Sequence, residues 1–475
     1  MKILFATSEA LPFAMSGGLA DVSGALPKAL RRRLVGCRVV MPLYGTVISR
    51  ELREKMTFVG SITVPVSWRR QYCGIFEAHV DGVIYYLLDN EYYFKRDTLY
   101  GHYDDAERFA FFSRAVLEII PYIDFKPDII HCNDWQTAMV PVYLNEFYKQ
   151  NPLYSDIKTV YTIHNIQYQG KYGMELYNDL LGLKPGRESL VEYDGCVNLM
   201  KGGIQCADKV TTVSPTYARE ILDPYYSFGL DNILKQFTYK LTGIVNGIDY
   251  DVYNPETDPM IFKNFTSGSI EIKAFNKAEL QKQVGLPERS DTPLIGMVTR
   301  LVKHKGLDLV KCVFEEILRA DVQFVILGTG EYEFETFFYE MAQKYPDKVG
   351  LKLGFDATLA HRIYAGADMF LMPSKSEPCG LAQMVALRYG TVPIVRETGG
   401  LNDTITDSGD GKGNGFTFKN FNAHEMQDAV WRALAGYSDK NGWNILRKRG
   451  MACNNSWGAS ANAYIGLYKE LTGKK

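Results

Sequence analysis

Short apolar runs alternate with amphipathic helical stretches along almost the whole chain, and this alternation restricts the fold more than any other feature. Segments 3–6, 38–41, 83–88, 129–131, 158–163 and 209–213 read as strands, with a helix expected over 20–34. The pattern returns more cleanly later, with strands at 294–299, 324–327, 350–353, 369–372 and 392–395 and helices near 307–318, 333–344, 359–365 and 381–389. Strands that read as continuous apolar runs are covered on both faces, so the expectation is parallel sheets wound by helices on either side.

A chain of 475 residues is too long for one core, because single cores stop growing at about 250–300 residues. The turn formers Asn246-Gly247-Ile248-Asp249 and Asn254-Pro255 mark a boundary. The expected domains are therefore 1–245 and 246–455, both α/β and doubly wound. Composition excludes more than it identifies. The net charge of −2 argues against a general nucleic-acid or membrane binder. No apolar run reaches the roughly 20 residues a membrane helix needs. The eight cysteines contain no C-x-x-C pair, which disfavours zinc or a disulfide framework and fits a reducing cytoplasm. Aromatic residues make up 13%, enough to fill cores or to stack on sugar rings.

Six motifs fall at expected strand-to-helix transitions, the edge at which open α/β sheets bind ligands. Ser16-Gly17-Gly18-Leu19-Ala20-Asp21 is a glycine turn before a helix, able to approach a bulky anion, although a tight turn alone would read the same. It does not match G-x-G-x-x-G, so a nicotinamide site is not supported. Arg300 and Lys305 in Arg300-Leu301-Val302-Lys303-His304-Lys305-Gly306 could neutralise a diphosphate leaving group, or merely be solvated. In Pro373-Ser374-Lys375-Ser376-Glu377-Pro378-Cys379-Gly380-Leu381, Glu377 could accept sugar hydroxyls or simply favour a helix start. Thr398-Gly399-Gly400-Leu401 echoes the first glycine turn. His164 in Thr162-Ile163-His164-Asn165 and Asp134 in His131-Cys132-Asn133-Asp134-Trp135 complete the set.

Together these motifs, with "DTLYGHYDDAERFAFFSRA", "TIHNIQYQGKY", "TTVSPTYARE", "VNGIDYDVYNPETD" and "WGASANAYIGLY", resemble the bacterial glycogen synthase and plant starch synthase family, in the family's order and over essentially the whole chain. The resemblance implies the GT-B fold, two Rossmann-like domains facing a deep cleft, with a C-terminal helix at about 456–475 crossing back onto the first. It implies a retaining transfer of glucose from ADP-glucose to the non-reducing end of an α-1,4-glucan such as glycogen or a maltooligosaccharide, with no metal or other cofactor. Arg300 and Lys305 would hold the phosphates and stabilise departing ADP. Glu377 would contact the glucosyl hydroxyls, with His164 nearby. Gly17, Gly18, Gly399 and Gly400 would offer backbone amides, flanked by Ser16, Cys379, Gly380, Leu381 and Thr398. Phe355 would lie against adenine, Asp21 near ribose or phosphate, and Asp134 against acceptor or sugar. The D-x-D of Asp249-Tyr250-Asp251 is read as structural.

One departure stands out. The family's first loop normally carries Lys before the glycines, and here that position is Met15. Losing one such interaction costs on the order of 10²–10³ in rate. Other cations could compensate, activity could be intact but slower, or the chain could bind glucan and nucleotide with little turnover. A GT-B transferase using another acceptor is a further reading. The sequence leaves oligomeric state open.

Overall fold

Residues 1–474 are described in the computed structural model, and they divide into two compact units. Unit 1 comprises residues 1–246 and 457–474, and unit 2 comprises 247–456.

Unit 1 is built around β1 (Lys2–Ala6), whose Ile3, Leu4, Phe5 and Ala6 are completely buried, as expected of a central strand covered on both faces. β2 (Gly36–Pro42) follows the helix Gly18–Arg31. Then come β3 (Thr57–Val66), β4 (Arg69–Val80), β5 (Val83–Asp89), β6 (Ile129–Asn133) and β7 (Lys158–Ile163). A small separate sheet holds β8 (Lys171–Tyr172), β9 (Glu192–Tyr193) and β10 (Cys196–Asn198), and β11 (Lys209–Thr212) and β12 (Leu241–Gly243) complete the large one. The large sheet runs β12-β11-β7-β6-β1-β2-β5-β4-β3. Its strands are parallel except at one edge, where β3 and β4 form an antiparallel hairpin on β5. The order reverses between β1 and β6, which is the topological switch point.

Unit 2 is the cleaner doubly wound sheet. β13 (Leu294–Val298), β14 (Gln323–Gly328), β15 (Val349–Leu353), β16 (Met369–Met372), β17 (Val392–Arg396) and β18 (Phe416–Phe418) are all parallel, in the order β15-β14-β13-β16-β17-β18. The switch point lies between β13 and β16. The helix Leu307–Ile317 shows why the elements form where they do. Leu307, Val310, Phe314 and Ile317 recur at helical spacing and are fully buried against the sheet.

The helix Trp457–Thr472 is held within unit 1 by long-range polar contacts. Ser460 Oγ donates to the Val245 carbonyl at 2.6 Å, and the Tyr468 hydroxyl meets His131 Nδ1 at 2.6 Å. Glu470 pairs with Lys209 at 2.7 Å. Among the described residues no helix is long and apolar enough to cross a membrane.

Candidate active site

Each unit carries one cluster of chemically active side chains, and each cluster lies at its unit's switch point.

In unit 1 the cluster gathers around the ends of β1, β6 and β7. One member is Glu9, which sequence reasoning passed over. The carboxylate is 4% exposed and accepts from the Ser16 amide, from the Ser16 hydroxyl at 3.3 Å and from the Gly17 amide at 3.2 Å. Burial, outweighing these donors, raises its pKa. This shapes the Ser16–Gly18 turn and leaves Met15 beside it, 49% exposed. Neither packing nor backbone angle demands the glycines. A Cβ at Gly17 or Gly18 meets nothing within 4 Å, and Gly17 has extended geometry. Gly17 supplies no side-chain cap to the helix Gly18–Arg31, whose start therefore stays approachable. Asp21 sits in the first turn of that helix, and burial raises its carboxyl to about 6.

Asp134 adopts φ 55°, ψ −177°, a region that side chains other than glycine rarely occupy and that costs about 1–3 kcal/mol. Such strain marks functional positions. Its Oδ1 accepts from the amides of His164 at 2.7 Å and Asn165 at 3.4 Å, yet burial still pushes its pKa up to about 7. His164 Nε2 meets Asn133 Oδ1 at 2.9 Å. Asn133 spends its amide hydrogens on the carbonyls of Ala6 at 2.9 Å and His131 at 3.3 Å, so its oxygen faces the ring. Burial lowers the imidazole to about 3, so it is neutral near pH 7. A neutral ring donating through Nε2 keeps Nδ1 as an acceptor for a hydroxyl. Asn133, like Glu9, was missed. Its only signal was its place in the His131-Cys132-Asn133-Asp134 run.

In unit 2 the cluster is charged. Lys305 Nζ lies 2.7 Å from Glu377 Oε2, and Ser374 Oγ donates to the same oxygen at 2.9 Å. Glu377 is 7% exposed. Burial alone would raise its pKa, but the charge and hydrogen bond of Lys305, the Ser374 hydroxyl and His304 outweigh it and hold the carboxyl below its ordinary value. Gly306 makes the approach possible. Its φ is +76°, and a Cβ there would lie 2.0 Å from the Pro373 carbonyl oxygen. Arg300 is exposed just beyond β13.

The loop after β16 is packed against the turn after β17. A Cβ at Gly399 would lie 1.9 Å from the Glu377 carbonyl oxygen, and one at Gly400 2.2 Å from that of Cys379. The Gly400 amide donates to the carbonyls of Glu377 and Pro378, both at 3.2 Å, so Gly400 contributes close packing rather than an open amide. Gln383 Nε2 donates to the carbonyls of Cys379 and Gly380 and to Thr404 Oγ1, and Thr404 donates to the Gly400 carbonyl at 2.6 Å. Gly380 has φ +73°, Leu381 precedes the helix Ala382–Arg388, and Thr398 precedes Gly399–Thr404. Phe355 stands apart, 86% exposed beyond β15, two strands from β13. The described residues contain no cluster of His, Cys, Asp or Glu suited to a metal ion.

Two largely parallel-stranded α/β units, each with a polar cluster at its switch point, match the architecture of glycosyltransferases that work on activated sugars. The comparisons agree. Residues 2–236 match the family model for the starch synthase catalytic domain, and 278–445 match that for glycosyl transferases group 1. Glycogen synthases of Bacillus cereus and Geobacillus thermodenitrificans are each 55% identical, covering 99% and 100% of this chain and 100% and 99% of theirs. The catalytic domain of starch synthase IV from Arabidopsis thaliana, solved bound to ADP and acarbose, is 35% identical with a TM-score of 0.91, covering 99% of both chains. A sucrose-phosphate synthase from Thermosynechococcus elongatus, at 17% identity and TM-score 0.63 over all of both chains, shares the fold. The chain belongs to the glycogen and starch synthase family, and it has the GT-B fold.

Proposed function

We propose that this chain elongates α-1,4-glucans by transferring glucose from ADP-glucose to a non-reducing end, with retention of configuration. The observation that carries this reading is the 55% identity to glycogen synthases along the full length of both chains. Arg300 and Lys305 take the diphosphate and stabilise the charge that builds on departing ADP. Glu377 holds Lys305 through Oε2, which leaves Oε1 to accept a glucosyl hydroxyl. With Oε2 committed to two donors, the carboxylate serves as an electrostatic anchor, not as a covalent nucleophile.

The neutral cluster of unit 1 suits an uncharged sugar. His164 offers Nδ1 to a hydroxyl, and Asp134, with its pKa near 7, can donate or accept. The acceptor 4-hydroxyl attacks from the face that ADP leaves, and the departing phosphate takes its proton. No metal takes part in the proposed transfer. Its setting is a reducing cytoplasm, the polymer partner is glycogen or a maltooligosaccharide, and the leaving group is ADP. Half-exposed Met15 lowers the rate only modestly, because a charge at such a position is screened by water.

The test offers radiolabelled ADP-glucose or UDP-glucose together with glycogen. Label entering polymer from ADP-glucose, and released by an α-1,4-specific hydrolase, is expected. Glycogen bound without label incorporation would overturn the reading.

A further inference from the structure

The β3–β4 hairpin turns through Ser67 and Trp68, with Val66 opposite Arg69 and Ser67 at φ +53°. β4 is antiparallel to β5, and the last pair at its start is Gly74 opposite Asp89. Residues 69–73 therefore overhang the end of β5 by roughly 16 Å at strand rise. They do so at the carboxyl edge, where the unit 1 cluster also lies. Trp68 is the tip of this overhang. It is displaced from β1 by three to four strand spacings, about 14–19 Å.

The tip is fixed. Trp68 Nε1 donates to Asp179 Oδ1 at 2.9 Å. The Arg69 guanidinium lies 4.5 Å from the indole ring and donates to Asp179 Oδ2 and to its carbonyl, both at 2.8 Å. Ser67 Oγ donates to the Asn178 carbonyl at 3.2 Å. Gly182, at φ +63°, passes so close that a Cβ there would lie 3.0 Å from Ser67 Cα. Yet Trp68 is 71% exposed. The guanidinium covers one face, and the other is open to water.

An aromatic ring that has already lost its rotamer freedom, while its flat face stays wet, is preorganised to bind. Its surroundings identify the ligand. Arg69 and Asp179 border the indole with charge, which disfavours an apolar protein partner. They suit a pyranose, whose C–H face stacks on an aromatic ring while its hydroxyls meet a carboxylate and a guanidinium.

We propose that Trp68, Arg69 and Asp179 form a platform for glucosyl units of the acceptor chain well away from the reacting end. It rests on the glucan-acceptor reading above. Long acceptors would reach it, and short ones would not.

The test compares Trp68→Ala and Trp68→Phe with the parent chain in two ways. Retardation in native gels containing glycogen reads binding without turnover, and kinetics with glycogen and with maltotriose read use of the platform. For Trp68→Ala, roughly three- to ten-fold weaker retardation and a matching rise in KM for glycogen are expected. kcat, KM for ADP-glucose and the maltotriose kinetics should stay unchanged, and Trp68→Phe should keep most of the binding. Unchanged retardation, or equal losses with glycogen and maltotriose, would overturn the platform. A parent chain that transfers no glucose but is retarded through Trp68 would overturn the enzymatic reading and leave the platform standing.

Discussion

The two Gly-Gly turns look alike on paper and are glycine for opposite reasons. After β17, Gly399 and Gly400 are forced by the protein itself, since any Cβ would strike the carbonyls of Glu377 or Cys379. After β1, Gly17 and Gly18 have open space around the position of a Cβ. The electrostatics divide in the same way. Unit 2 keeps its groups charged, with Glu377 held low by Lys305. Unit 1 drives its groups toward neutrality, with His164 at about 3 and Asp134 at about 7. A rigid, charged cluster suits a diphosphate, and an open, neutral one suits a sugar. The same fold, used twice, is specialised by burial and by one ion pair.

The largest effect that would break this contrast is removal of the ion pair. Lys305→Ala or Glu377→Gln should lower kcat/KM for ADP-glucose by about 10²–10³, read in the transfer assay. His164→Ala should cost less, because it removes one neutral hydrogen bond, not a charge. Next come the glycines. Gly400→Ala should destabilise unit 2 by about 1–3 kcal/mol in denaturant unfolding, because it is overpacked against backbone. Gly18→Ala should leave stability within about 0.5 kcal/mol and weaken only donor use.

A smaller effect concerns pH. Folding raises the Asp134 pKa from its ordinary 3.8 to about 7. Between those values the folded chain holds a proton that the unfolded chain gives up, so this group makes stability fall as pH rises from about 4 to about 7. Asp134→Asn keeps the oxygen that accepts from His164 and Asn165, and it should flatten that slope in unfolding midpoints taken at pH 5 and pH 8. The smallest effect is Met15→Lys, expected to raise kcat/KM for ADP-glucose a few-fold at low salt and less at high salt, since the position is half-exposed.

Much of the frame was legible in the sequence because buried parallel strands leave continuous apolar runs. β7 and β16 begin and end where the pattern puts them, at 158–163 and 369–372. The β3–β4 hairpin was not legible. Its strands carry Pro65 and Gly74 and lack the continuous apolar run of a doubly covered strand, because one face is wet and β3 is an edge strand. Among site residues, those in strand-end motifs could be read directly. Glu9 could not, because its role depends on a fold-back from Ser16 and Gly17 that nothing in its neighbours announces. Asn133 sat inside a noted motif, but its partner His164 lies 31 residues away, joined only by strand register. The Gly400 amide was expected to be open, and only the packing of two loops shows that it is committed.

Titration of ADP into the chain by calorimetry tests most directly whether the unit 2 cations hold the diphosphate. Replacing both Arg300 and Lys305 by Ala should weaken ADP binding by about 100-fold at moderate salt, while His164→Ala should leave it nearly unchanged. Parent-like ADP affinity in the double variant would contradict this assignment.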